Sequence, residues 1–237
     1  MVKEVSLQSP LDLAGLQFAR DGAQLHPQLL TVQNVASLRA SGDSLLCGKP
    51  GARIVGGEIA RIISKPDGAL MPLAMQLLGP AARAVRAILF DKTEGANWSV
   101  AWHQDRTIAV RDRREVAGYG PWSVKDGAHH VEPPYDLMRD MVTVRAHLDD
   151  CGEDNAPLMI ALDSHRLGRL PAREIADAIS QLPTARCLAR AGDVWAYATP
   201  IVHASERTRS TARRRVLQVD FSARGLPEAL EWLGVGG

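Results

Sequence analysis

The sequence predicts a mainly β fold, a sandwich or barrel flanked by α-helices, and three observations support this. Apolar residues recur at helical spacing through the first 86 residues, which indicates amphipathic helices. From residue 87 onward they instead form short alternating or continuous runs, separated by segments rich in glycine and proline. Many short strands with such turns are typical of a sandwich or barrel, and the leading helices are then expected to cover one outer sheet face.

The N-terminal part, residues 1–86, is predicted to be mostly helical. Four segments have the apolar spacing of a helix: Leu11–Arg20, Pro27–Ala40, Glu58–Ser64 and Pro72–Leu89. A proline inside a helix removes a backbone hydrogen bond, so Gly79-Pro80 should kink the last of them. The glycine-rich stretch Cys47–Gly57 is expected to be a loop.

Residues 87–222 are predicted to form the β core, and residues 223–237 a short tail with one helical turn around Leu230 and Trp232. The expected strands are Trp98–Asp105, Thr107–Val110, Met141–Leu148, Pro157–Leu162, Gly192–Thr199 and Arg213–Ser222. Pro171–Leu182 has helical spacing, and Glu115–Pro134 is predicted to be a long loop over the sheet, where function often resides. The length of residues 1–237 suits a single domain.

Asn97–Asp105 carries the clearest chemistry. Its aromatic and β-favouring residues predict a strand, on which His103 and Asp105 share one face with small side chains. Small residues beside an imidazole and a carboxylate leave room for a metal ion with bound ligands. Because chance often produces His-x-Asp, this interpretation depends on further ligands elsewhere in the chain.

Non-haem iron(II) is typically held by two histidines and one carboxylate, which leaves positions open for a chelating cosubstrate and dioxygen. Among the seven histidines, His203 is the best candidate for the second one, because it follows a predicted strand and has small neighbours. Arg213–Arg215 opens the last strand ten to twelve residues later, and a guanidinium in the cavity can grip a carboxylate bidentately. Spacing alone leaves open which arginine points inward.

These residues belong to a longer pattern that resembles the phytanoyl-CoA dioxygenase family. The matching segments are Trp102–Asp105, Asp149, Asn155–Leu158, Ser164–Gly168, His203–Ser205 and Arg214. The resemblance covers roughly residues 89–222 and implies a double-stranded β-helix (jelly-roll, cupin-like) core, with the N-terminal helices packed on one sheet. Asp163 stands where the family usually has glycine, which is expected to alter a turn without touching the metal.

The resemblance implies an iron(II)- and 2-oxoglutarate-dependent dioxygenase. His103, Asp105 and His203 match the iron ligands. Arg214 matches the arginine that pairs with the far carboxylate of 2-oxoglutarate, and Ser205 matches a hydroxyl that often assists. The expected reaction uses dioxygen to hydroxylate a small-molecule C–H bond and releases succinate and carbon dioxide. Related halogenases lack the carboxylate that Asp105 supplies, so oxygenation is favoured over halogenation.

The alternative function is a non-catalytic cupin-like module that binds a metal or an organic acid. A net charge of +1, from 28 basic and 27 acidic residues, gives no overall field to attract nucleic acid or an anionic membrane. A small molecule is therefore the expected partner. An arginine-rich rim around the site raises the alternative of an anionic substrate, against the default interpretation of a solvated surface.

The sequence predicts neither a targeting segment nor a membrane span. Its first ten residues lack the apolar region of a secretory signal, and the longest apolar stretch, Ala69–Val85, is interrupted by proline, glycine and arginine. The three cysteines are widely spaced and include no Cys-x-x-Cys pair. Reduced thiols and a cytoplasmic location are therefore expected.

Four further residues are candidates for roles near the site. Arg145 alternates with apolar neighbours on a predicted strand, so its guanidinium needs a partner, either a structural aspartate or an anion in the cavity. Trp122, in the long loop, is the tryptophan best placed to wall a pocket. Lys92 and Asn97 precede the metal strand and are candidates to contact the near carboxylate of the cosubstrate or the substrate.

Overall fold

The computed structural model describes residues 13–227 and 229–236. The helices are α1 (Phe18–Asp21), α2 (Val32–Leu46), α3 (Gly57–Ser64), α4 (Leu70–Leu78), α5 (Tyr135–Arg139) and α6 (Ile175–Ser180). The strands are β1 (Ala23–His26), β2 (Gly51–Arg53), β3 (Arg83–Lys92), β4 (Val100–His103), β5 (Ile108–Val110), β6 (Trp122–Lys125), β7 (Ala128–Val131), β8 (Met141–His147), β9 (Leu158–Ala161), β10 (Thr184–Cys187), β11 (Val194–Ala198), β12 (His203–Ser205) and β13 (Arg214–Ser222). Short 3₁₀ helices occur at Leu13–Gly15, Ser164–Arg166 and Ala172–Glu174.

The strands form three antiparallel sheets. The major sheet has the order β1-β11-β8-β13-β3-β2, and the minor sheet has the order β10-β9-β12-β4. Strands β5, β7 and β6 form a third, smaller sheet. One cavity is lined by residues of both the major and the minor sheet, so these two sheets enclose it. The chain is therefore a mainly β, double-stranded β-helix with flanking helices, as predicted.

The alternation of side chains along the central strands decides what the cavity contains. On β8 and β13, Val144 and Val219 belong to the outward-facing set that packs against Leu38, Ile63 and Leu70 of the helices. Each such aliphatic side chain, once buried, stabilises the fold by roughly 1.5–3 kcal/mol. Because strand side chains alternate, the intervening residues of the same strands face the interior between the sheets.

The N-terminal part differs from the prediction in two ways. The helix expected over Pro72–Leu89 is wrong beyond α4, because Arg83–Lys92 is the longest strand of the major sheet. The Cys47–Gly57 loop contains β2, and β1 also joins the major sheet, so residues 1–86 supply two strands as well as helices. The boundary predicted between residues 86 and 87 therefore falls inside β3.

The remaining N-terminal helices are shifted or shorter than predicted, apart from α3. The helix expected over Pro27–Ala40 runs instead as α2, because a capping box fixes its start: Asn34 N donates to Thr31 Oγ1 and Thr31 N donates to Asn34 Oδ1. The segment Leu11–Arg20 gives a 3₁₀ turn and the start of α1 within the described residues, and its first two residues lie outside them.

The predicted strands of the β core are confirmed to within a few residues, but the long loop is not. Glu115–Pro134 contains the β6–β7 hairpin, which pairs with β5. The helix predicted over Pro171–Leu182 is a 3₁₀ turn followed by α6. In the described part of the tail there is no helix, and Trp232 forms an isolated bridge with Val110. Across the described ranges, no helix has both the length and the apolar character needed to cross a bilayer.

Candidate metal centre

The pairing of β4 with β12 brings His103, Asp105 and His203 together. His103 ends β4 and lies directly opposite His203, which begins β12, and Asp105 follows two residues later. The two imidazole centroids are 4.3 Å apart. One ligand atom from each of the three residues lies within 4.8 Å of the other two. Among residues 13–227 and 229–236, this is the one cluster of His, Cys, Asp or Glu side chains with metal-binding geometry.

Both histidines present the same ring nitrogen toward the cluster. Nδ1 of His103 lies 2.8 Å from the carbonyl oxygen of Ala101, and Nδ1 of His203 lies 2.9 Å from that of Ile201. A carbonyl oxygen can only accept, so each Nδ1 carries the hydrogen and donates it. Each Nε2 therefore keeps its lone pair for a metal, with the backbone fixing the ring orientation. Burial also lowers the pKa of His203 to about 4, which favours the neutral, coordinating form.

Asp105 is held as a carboxylate by its neighbours. Burial alone would raise its pKa, but Arg86 and the two imidazoles outweigh that effect and hold the Asp105 pKa below its ordinary value. Arg86 Nη2 lies 3.6 Å from Asp105 Oδ2, and Arg86 Nε donates to Asp220 Oδ2. Asp220 in turn accepts a hydrogen bond from Thr143 Oγ1 at 3.0 Å. Arg86, Asp220 and Thr143 therefore form a buried network that fixes the orientation of the Asp105 carboxylate.

Arg86 was not predicted as a site residue, because it lies in a segment that was predicted to be a helix. The continuous apolar run Ala87–Phe90 hides the alternation of a strand from the sequence. In β3, Val85, Ala87 and Leu89 are buried on one face, and Arg86 lies on the opposite face, where it lines the cavity.

Two buried polar side chains fix the chain around the cluster. Gln104 Nε2 donates to the carbonyl oxygens of Gly168 and Pro200, which ties the metal strand to the segment before His203. Ser164 Oγ accepts from Val202 N at 2.8 Å and donates to Ala161 O. These contacts give the Ser164–Gly168 motif a structural role beside His203.

Asp163 sits in the turn before Ser164, where the family usually has glycine. Its φ of 64° is left-handed, a conformation that aspartate tolerates better than most residues. The Asp163 side chain does not line the cavity, which agrees with the expectation that the departure affects the turn alone.

Of the three consecutive arginines, Arg214 points inward. Arg213 forms a bidentate pair with Asp91, and Arg215 forms one with Asp149. Both therefore lie on the helix side of the sheet, and they are ion-paired rather than simply solvated. The register of β13 puts Arg214 on the opposite face, where it lines the same cavity as the metal cluster.

Arg214 has no carboxylate partner within the described residues. It is 3% exposed, its Nη1 donates to Ala156 O at 2.8 Å, and its Nε has no hydrogen-bond partner. Burial, with Arg145 nearby, lowers the pKa of Arg214 from its ordinary value. A buried guanidinium without a counter-ion is unfavourable, so this position fits an anionic ligand.

Ser205 lines the cavity two residues beyond His203, near the Arg214 end. Lys92 is the residue opposite Arg214 in the β3–β13 pairing, and its Nζ donates to Ser205 Oγ at 3.4 Å. The same Nζ donates to Trp98 O and Glu206 O, so the ammonium is occupied by structural contacts. These bonds fix Lys92 to the segment before β4 and to the segment after β12. Lys92 does not line the cavity.

Two other candidates are likewise structural. Asn97 exchanges two hydrogen bonds with the backbone of Thr208. Trp122 packs in the cluster beneath the third sheet, against Val85 and its neighbours, and does not line the cavity. Trp98 takes the wall position that was expected of Trp122.

The cavity has a volume of about 170 Å³ and is partly open to solvent. Its apolar wall is formed by Ile88, Phe90, Trp98, Val100 and Leu158. The metal cluster lies on the minor-sheet side, and the two guanidiniums of Arg145 and Arg214 lie on the major-sheet side. A small molecule held between them would touch both.

Comparison with known structures gives the same fold at low sequence identity. The epimerase SnoN from nogalamycin biosynthesis, described as α-ketoglutarate-dependent, matches with a TM-score of 0.59 and 19% identity over 88% of this chain and 80% of its own. HygX from Streptomyces hygroscopicus, with nickel and 2-oxoglutarate bound, gives 0.60 and 16% over 86% and 84%. The carbocyclase SnoK from nogalamycin biosynthesis gives 0.61 and 17% over 90% and 87%.

No protein of curated function matches the chain in the sequence comparison. The family profile described as phytanoyl-CoA dioxygenase (PhyH) does match, over residues 65–216, which is well over half of the chain. That span includes all four side chains of the expected iron and 2-oxoglutarate site. The chain belongs to the phytanoyl-CoA dioxygenase family.

Proposed function

We propose that the chain is an iron(II)- and 2-oxoglutarate-dependent dioxygenase. In this proposal His103, Asp105 and His203 hold the iron, and Arg214 binds the far carboxylate of 2-oxoglutarate with help from Ser205. The observation that carries it is Arg214, a buried guanidinium for which the described part of the chain provides no carboxylate, in the cavity that also holds the metal cluster. Two imidazoles and one carboxylate with open positions are the ligand set of this iron chemistry.

Bound iron supplies, with 2-oxoglutarate and dioxygen, the oxidation of a substrate C–H bond, with succinate and carbon dioxide as co-products. The chain itself supplies position and environment. The Nε2 lone pairs of His103 and His203 and the Asp105 carboxylate would hold the iron on the minor-sheet side of the cavity. Arg214 fixes the far carboxylate of 2-oxoglutarate, and the apolar walls of Phe90, Trp98 and Leu158 keep the space between the metal cluster and Arg214 poor in water.

Hydroxylation of a small molecule is the reaction that we propose. Structural neighbours are named as an epimerase and a carbocyclase, so the fold accommodates more than one reaction. HygX has been crystallised with hygromycin B, and SnoN with a nogalamycin compound, which supports a small-molecule substrate. A second pocket shares Ile88, Phe90 and Trp98 with the cavity, so it adjoins the cavity and is a candidate place for the substrate.

The test measures succinate formed from 2-oxoglutarate with added iron(II) under air. Without the substrate, turnover of 2-oxoglutarate is expected to be slow. The readout is therefore the difference in the rate of succinate formation between two matched histidine variants. His103→Ala should abolish succinate formation. His129→Ala, on a strand of the third sheet outside the cavity, should leave it unchanged. Metal bound stoichiometrically without any turnover in the wild type would instead support the non-catalytic module.

We also propose that residues 1–237 act as a single domain, since β1 and β2 extend the same sheet as the core strands. A cytoplasmic location remains a prediction from the sequence. Limited proteolysis tests the first proposal. One protected core is expected, and a stable fragment that ends near residue 86 would contradict it.

A further inference from the structure

Arg145 is a second buried arginine in the cavity for which the described residues provide no carboxylate. It is 8% exposed, and its Nη1 donates to Gln218 Oε1 at 2.8 Å. Its guanidinium carbon lies 5.7 Å from the ring centroid of Phe90, and its Nε has no hydrogen-bond partner. Of the two partners expected from the sequence, a structural aspartate is therefore ruled out among the residues described, and an anion in the cavity is left.

The strand register places this guanidinium toward Arg214. Arg145 lies opposite Gln218 in the β8–β13 pairing, on the inward face that Gln218 shares with Arg214. Its side chain leans over Phe90, which pairs with Val216, two positions from Arg214. Both guanidiniums line the cavity.

The electrostatics of the surrounding groups agree with this placement. Burial and Arg145 lower the pKa of Arg214, and burial with Arg214 and Arg145 lowers the pKa of Lys92 to about 8. Two buried guanidiniums in the cavity thus lie close together, with the buried ammonium of Lys92 beside them. Without a counter-ion they repel one another in a medium of low dielectric constant. A carboxylate has two oxygens and about four acceptor positions, enough for two guanidiniums at once.

We propose that Arg145 and Arg214 form a two-arginine clamp for the far carboxylate of 2-oxoglutarate. This inference rests on the proposed function. It assigns Arg145 to selection of the cosubstrate, because a keto acid without a second carboxylate would leave both guanidiniums unpaired. A structural arginine would stabilise the fold without any ligand. In the clamp, by contrast, Arg145 is an uncompensated buried charge when no ligand is bound.

The test is calorimetric titration of nickel(II)-loaded protein with 2-oxoglutarate and with 2-oxopentanoate, in which a methyl group replaces the far carboxylate. Arg145→Met should weaken 2-oxoglutarate binding by about 10- to 100-fold, the usual effect of a lost charge-assisted hydrogen bond. Binding of 2-oxopentanoate should change by less than about twofold, since that ligand has no group for the clamp. Arg145→Lys should recover part of the 2-oxoglutarate affinity.

A second readout is the melting temperature without ligand. Because Arg145→Met removes an uncompensated buried charge, this variant should melt at the wild-type temperature or above it. A structural arginine would give the opposite result. Arg53→Met, which changes a half-buried arginine outside the cavity, is the matched control and should leave both ligand affinities unchanged.

Three results would overturn the clamp: equal losses for both ligands, no loss for either, or a large fall in the ligand-free melting temperature of Arg145→Met. An Arg145→Met variant that keeps the full preference for 2-oxoglutarate would overturn the clamp alone and leave the proposed function intact. A wild-type protein that binds neither keto acid in the presence of metal would overturn the proposed function, and the clamp with it.

Discussion

Arg86 Nη2 lies 3.6 Å from Asp105 Oδ2, with the Arg86 guanidinium shared between that carboxylate and the buried Asp220. Asp105 is the one carboxylate of the metal cluster, so its orientation controls whether three ligands converge. Arg86 is itself fixed by Asp220, which Thr143 holds through a hydrogen bond. The metal side of the cavity therefore depends on residues of the major sheet that donate nothing to the metal.

Replacing Arg86 should weaken metal binding without removing a ligand. Arg86→Met leaves Asp105 without its closest cation and Asp220 with an uncompensated charge, so we expect a loss of about tenfold or more in nickel(II) or cobalt(II) affinity. Titration calorimetry of the metal-free protein measures it. Arg83→Met, on the exposed end of the same strand, is the control. Equal affinities for the wild type and Arg86→Met would contradict a role for Arg86 in orienting the carboxylate.

Removing the Ser164 hydroxyl should affect both stability and the metal. Ser164→Ala leaves Val202 N and Ala161 O without their buried partner, which should lower the free energy of unfolding by about 1–3 kcal/mol. Because Val202 precedes His203, metal affinity should fall as well. Urea unfolding and metal titration check the two effects. Ser180→Ala removes an exposed hydroxyl that is hydrogen-bonded to Asp177 O and to the Gln181 side chain, and it should change neither quantity.

The stability of the metal-free protein should fall as the pH is lowered from about 6.5 to about 4. Burial lowers the pKa of His203 and of His130 to about 4, against 6.5 for an exposed histidine. Between these two pKa values the histidines are protonated in the unfolded chain but neutral in the folded chain. The free energy of unfolding therefore falls as the pH falls. For His203 alone, the free energy of unfolding is lower by about 3 kcal/mol at the acid end of this pH range.

Urea unfolding at several pH values measures this dependence. Burial also lowers the pKa of His26, His147 and His165, which adds to the same dependence. His130→Gln removes one of these five groups without touching the metal cluster, so its stability should depend less steeply on pH than that of the wild type. Asp105, whose pKa is lowered, contributes a further loss of stability only at pH values below its ordinary range. A stability that stays constant between pH 7 and 4.5 would show that the histidines are accessible to solvent.

Replacing Arg214 should abolish selective binding of 2-oxoglutarate. Arg214→Gln removes the cation but keeps a neutral donor beside Ala156 O. We therefore expect the affinity for 2-oxoglutarate to fall by about 100-fold or more, with the metal affinity unchanged. Calorimetric titration of the metal-loaded protein measures both quantities. Arg209→Gln, an exposed arginine paired with Asp154, is the control. Retention of tight 2-oxoglutarate binding by Arg214→Gln would assign the far carboxylate to another residue.

Local spacing predicted only part of the candidate site. His103 and Asp105 are two residues apart on a strand, so their shared face follows from the geometry of a strand. His203 was chosen for its place after a predicted strand and by resemblance to the family. Spacing could not separate the three arginines. The resemblance indicated Arg214, and the register of β13 places Arg214 in the cavity.

Other features depend on contacts that no local pattern contains. β3 was predicted as a helix, because its apolar residues continue a stretch that begins in α4, and only pairing with β13 shows it to be a strand. The edge strands β1 and β2 are three or four residues long, too short for a periodic signal. The roles of Arg86, Gln104 and Ser164 depend on partners far away in the sequence. Tertiary structure assigns them, and composition cannot.

A crystal structure of the protein with nickel(II) and 2-oxoglutarate, prepared without oxygen, would test most directly whether His103, Asp105, His203 and Arg214 form one binding site. We predict that the metal binds Nε2 of His103, Nε2 of His203 and the Asp105 carboxylate. The keto acid should chelate the metal at one end and place its far carboxylate on Arg214. A metal bound elsewhere, or a far carboxylate turned away from Arg214 toward solvent, would contradict the central claim that these four side chains form one site.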